Sequence, residues 1–62
     1  MTMLEYFKMI LQKVSFDISL FRSELNKALQ SLTMEERNEL KRWCIQTFGL
    51  PFCKQAMPDF SL

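Results

Sequence analysis

The chain has 62 residues, 48% of them hydrophobic, and its eight basic and seven acidic side chains leave a formal charge of +1. That length holds one domain, residues 1–62, and so even a charge balance lacks the field with which nucleic-acid binders and membrane-surface proteins draw in their targets. Histidine is absent and only two cysteines occur, so the commonest metal ligand is missing and at most one internal disulfide can form.

The first helix is expected over about residues 3–14. Thr2-Met3-Leu4-Glu5 has capping-box spacing. Met3, Leu4, Phe7, Ile10, Leu11 and Val14 follow at three- and four-residue steps and form a core face, with Glu5, Lys8 and Gln12 on the wet side. Tyr6 and Met9 fall on the shoulder of that face. Glu5, Lys8 and Lys13 also interrupt any signal-peptide core, and no run approaches the roughly 18 apolar residues of a membrane span. These features predict a cytoplasmic protein with no membrane partner, whose Cys44 and Cys53 are free thiols.

The second helix is expected over 18–31. Asp17 is its N-cap, and Phe16 stands in the position of a hydrophobic staple against Phe21. Ile18, Phe21, Leu25, Ala28, Leu29 and Leu32 make the apolar stripe, while Leu20 points away from it. The third helix is expected over 34–48, opened by the capping box Thr33-Met34-Glu35-Glu36. Leu40, Trp43, Cys44 and Thr47 share its inner face with Phe48 on the edge, and Met34 and Ile45 lie elsewhere. Gly49 is the natural left-handed stop, and Pro51 prevents the helix from resuming.

Residues 50–62 read as a docked tail or an extra helical turn begun by Pro51 and ended by Pro58. Its apolar residues Leu50, Phe52, Met57, Phe60 and Leu62 suit a bundle groove, the protein's own or a neighbour's. The fold class is all-α: a small three-helix bundle in up-down-up order with a short C-terminal tail.

Chemistry is hard to find. Cys44 and Cys53 have no histidine to activate them. Glu35, Glu36 and Glu39 are accounted for as cap and dipole complement at a helix start. No Gly-rich phosphate loop or metal-spaced cluster occurs, so we expect no enzyme activity, no cofactor and no metal.

Binding surfaces are the better prospect. The second and third helices could act as a helix-turn-helix, with Arg37, Asn38, Lys41 and Arg42 as a nucleic-acid face. Glu35 and Glu39 border that face and would repel phosphate, so a solvated surface is the preferred reading. The first helix lacks the basic richness of an interfacial membrane helix.

A core from about 60 residues rarely supplies more than roughly 3–5 kcal/mol without a staple, and oligomerisation is the staple this sequence can make. Tyr6, Met9, Leu20, Met34 and Ile45, with Phe52 and Phe60 of the tail, are the expected partner interface. The simplest partner is a second copy, giving a two-fold homodimer built on the first helix.

The strings Leu4-Glu5-Tyr6-Phe7-Lys8, Lys13-Val14-Ser15-Phe16-Asp17, Leu20-Phe21, Glu24-Leu25, Lys27-Ala28-Leu29, Trp43-Cys44 and Phe48-Gly49 resemble a set of short uncharacterised bacterial proteins. The likeness covers roughly residues 3–49. It implies a compact cytoplasmic bacterial protein and supplies no activity, cofactor or site residue.

Overall fold

Caps decide where each helix of this chain begins. In the computed structural model, which describes residues 2–60, the Thr2 hydroxyl accepts from the Glu5 amide at 3.2 Å and opens α1, Met3–Lys13. Asp17 Oδ1 accepts from the amides of Ser19 (2.9 Å) and Leu20 (3.3 Å) and opens α2, Ile18–Ser31. At α3, Met34–Phe48, both arms of the capping box are made: the Glu36 amide donates to Thr33 Oγ1 and the Thr33 amide to Glu36 Oε1. Two of the four orphan amides at that helix end thereby find side-chain or reciprocal partners.

The C-terminal segment differs from a plain tail. A fourth helix, α4, runs over Leu50–Ala56. Gly49 stops α3 and begins α4 in one residue, at φ +91° and ψ 147°. The expected left-handed helical cap is replaced by an extended positive-φ conformation, a region that is essentially glycine's alone. Pro51 then sits in the first turn of α4, where its missing N–H costs nothing. The described residues are therefore all-α with four helices: the extra turn expected after Pro51 is a fourth helix, and the three-helix count falls one short. Leu62 lies outside the described residues.

The core is continuous across all four helices. Leu4, Phe7 and Leu11 meet Phe21, Leu25, Ala28 and Leu32, together with Leu40 and Cys44 of α3, Cys53 and Ala56 of α4, and Phe60 beyond it. Phe21 is the aromatic hub, edge-on to Phe48 (5.1 Å between centroids) and to Phe52 (4.9 Å). Such pairs each add about 0.5–1.5 kcal/mol beyond the area they bury. The main pairings are α1 with α2, α3 with α4, α2 with α4 and α1 with α3. Two helical hairpins thus stack on each other, instead of three helices standing in sequence.

Several side chains depart from their expected places. Phe16 is 80% exposed, so the staple to Phe21 is not made; the Phe21 ring is occupied by Phe48 and Phe52. Met3 is exposed, although its spacing put it on the core face. It shares the side of Phe7, Ile10 and Val14, but as the first residue of α1 it is left uncovered by the neighbouring helices. Thr47 is exposed, whereas Ile18, Leu29 and Trp43 are half-buried. Lys8, assigned to the wet side, reaches α3: its Nζ lies 3.8 Å from Glu39 Oε2 and 5.8 Å from the Trp43 ring centre.

The accessible surface is 4155 Å², close to the about 4200 Å² of a compact 7.4 kDa monomer. One copy therefore closes on itself like any small globule. What sets the surface apart is its composition, because large apolar side chains remain on it.

Candidate interaction site

The outer side of α1 carries the densest of these. Met3, Tyr6 and Met9 are 51%, 43% and 39% exposed and follow one another at three-residue steps. Residues three apart on a helix are surface neighbours, about 5–6 Å between Cβ atoms, so the three form an oblique column that winds about 120° round the helix from Met3 to Met9. The Tyr6 ring rests edge-on against Phe7 at 5.6 Å, which ties the exposed column to the core. Of the expected interface residues, Tyr6 and Met9 belong to it. Met3 joins them, although its spacing put it on the core face.

The other expected interface residues scatter. Leu20 is exposed on α2 and Met34 on α3. Ile45 and Phe52 are half-buried and pack against the core. Phe60 is 3% exposed and is spent within the subunit, because the turn closed by its amide on the Met57 carbonyl (2.8 Å) folds it under α4.

The basic residues of α3 divide in the same manner. Arg37 is half-buried, and its Nη1 donates to the Leu29 carbonyl at 3.4 Å. That carbonyl lies in the last turn of α2, where acceptors have no intrahelical partner, so Arg37 serves as a cap supplied from the next helix. Lys41 is half-buried, while Asn38 and Arg42 are exposed. Met34, Arg37, Asn38 and Lys41 line a shallow hollow of about 330 Å³. The positions are i, i+3, i+4 and i+7 of one helix, so the hollow has no opposing wall. Glu36 is held in the capping box, whereas Glu35 and Glu39 face solvent beside this region, the latter 3.8 Å from Lys8 Nζ.

The two thiols are buried and unbonded. Burial pushes Cys44 up to about 12, reinforced by Cys53 nearby and opposed by the Lys8 charge. Burial also raises Cys53. Thiols so protonated are poor nucleophiles and poor metal ligands. Among the described residues, no group of three or more histidine, cysteine, aspartate or glutamate side chains is placed to hold a metal ion. No helix among the described residues is long and apolar enough to cross a membrane.

Comparison with protein-family models, with curated proteins and with solved structures found no match.

Proposed function

We propose that the protein is a non-enzymatic interaction module of the bacterial cytoplasm that works as a homodimer, its two copies joined through α1. The observation that carries this reading is the exposed column of Met3, Tyr6 and Met9. Methionine and tyrosine are enriched at interfaces, the first because it adapts its shape and the second because it brings a large apolar body with a polar tip. A two-fold axis beside α1 sets the same column against itself, so one patch serves both copies.

The size of the patch sets the strength. Fully burying an apolar side chain stabilises by about 1.5–3 kcal/mol, and these three begin only part-exposed. An 11-residue helix offers far less than the about 800 Å² per partner of a standard interface. The dimer is accordingly a weak one, dissociating on the order of hundreds of micromolar.

Nucleic-acid binding through α3 is the poorer reading. Glu35 and Glu39 both stay exposed on the same helix, where they repel phosphate. Size-exclusion chromatography with light scattering, run over a concentration series, tests the proposal. The mass should rise from one copy toward two as concentration climbs through the high micromolar range, and Met9→Lys should abolish the rise. A monomer at every concentration would reject it.

A further inference from the structure

The hollow on α3 is independent of the α1 column and has a chemistry of its own. Its lining combines one thioether, one amide and two cations: Met34, Asn38, Arg37 and Lys41. Met34, the first residue of α3, is 70% exposed and leaves apolar surface for a ligand to cover. Arg37 makes one long hydrogen bond, 3.4 Å, to the Leu29 carbonyl. One of its five N–H donors is used there, and four remain. Neither Arg37 nor Lys41 forms an ion pair among the described residues, where the pairs are Lys8 with Glu39 and Lys27 with Glu24.

We infer that this hollow is a binding site for an acidic peptide segment, taking a carboxylate between Arg37 and Lys41 and an adjacent apolar side chain over Met34. Charge decides the class of ligand. A carboxylate matches the fork of an arginine and gains a charge-assisted hydrogen bond from it. Lys41, half-buried along its stem, presents its ammonium beside the same hollow. Asn38, one turn from Met34, can donate to or accept from the peptide backbone. A nucleic-acid strand fits less well. Its affinity grows with the number of phosphates neutralised, and two cations with Glu35 nearby supply few. It would also leave Met34 uncovered.

Because the hollow has one wall, binding is weak, and nuclear magnetic resonance is the suitable readout. The probe is an amide-capped octapeptide of four aspartates, two leucines and two serines, titrated into the 15N-labelled protein. Amide shifts should concentrate on Met34–Ile45 and saturate. Replacing the aspartates with asparagines should weaken binding about tenfold, as should Lys41→Glu in the protein. Lys41→Gln, milder toward folding, should weaken it by a smaller factor. Met34→Ala should cost roughly threefold through the lost apolar contact. Equal binding of the neutral peptide, indifference to both Lys41 variants, or shifts centred on another helix would overturn the inference. So would a 12-nucleotide single strand that binds the same residues more tightly with a steep salt dependence.

Discussion

At the residue scale, burial separates the side chains that hold the fold from those left for other work. Leu25 is fully enclosed in the core shared by the four helices. Leu25→Ala removes its transfer energy and leaves a cavity, at about 2–5 kcal/mol. Urea denaturation should register that loss as an early midpoint or an unfolded chain; an unchanged midpoint would mean that α2 is rotated. Cys44 gives a pH signature. The folded protein keeps its proton up to about 12, whereas the unfolded chain releases it near the ordinary value of 9.0. The contribution is whole below the lower value and is lost as pH rises from there toward the upper one. Melting temperature should therefore fall above about pH 9, and Cys44→Ala should fall less steeply than the parent protein. Parallel slopes would place the effect on other groups. The sequence pattern reveals Leu25 and Cys44 as core because each sits at the centre of an apolar stripe. Met3 and Phe16 were misplaced for one shared reason. Spacing tells which side of a helix a residue occupies, but not how far the neighbouring helix extends to cover it. Arg37 was misjudged differently, since its partner is a backbone carbonyl eight residues back that no side-chain pattern advertises.

At the scale of elements, local chemistry was the most readable part of this chain. Thr2, Asp17 and Thr33 all cap the helices that their positions predict. Thr33→Ala removes one arm of the complete box and should lower stability by about 1 kcal/mol. A thermal melt with no shift would show that the start of α3 is held by packing alone. Gly49 supports a second test. A methyl group there would meet only Pro51 Cδ at 3.8 Å, an ordinary contact, so space is not what glycine provides. The backbone angle is. Gly49→Ala should cost about 1–3 kcal/mol through strain at φ +91°. Calorimetry finding it neutral would mean that the junction between α3 and α4 relaxes to another conformation. The fourth helix was only half legible. Pro51 and Pro58 marked its limits, but seven residues are too few for periodicity to distinguish a helix from a turn. Its existence depends on Cys53 and Ala56 being buried against the other helices, a tertiary fact.

At the scale of the whole molecule, the area and the composition of the surface point in different directions. A Cα radius of gyration of 10.3 Å, near the about 10.6 Å expected for 62 residues, describes a compact chain. The apolar surplus expected from 48% hydrophobic residues proves smaller than it looks, since Phe60, Ile45 and Phe52 are absorbed inside. Of what remains, Met3, Tyr6 and Met9 share α1 while Phe16, Leu20, Met34 and Leu50 lie elsewhere, and self-association through α1 is the proposal with most at stake. Sedimentation equilibrium of the parent protein beside Tyr6→Lys/Met9→Lys tests it most directly. The parent should fit a reversible monomer–dimer equilibrium and the double variant a single monomer with unchanged helicity. A parent that sediments as one species of 7.4 kDa throughout, or a double variant that still dimerises as well as the parent, would contradict it.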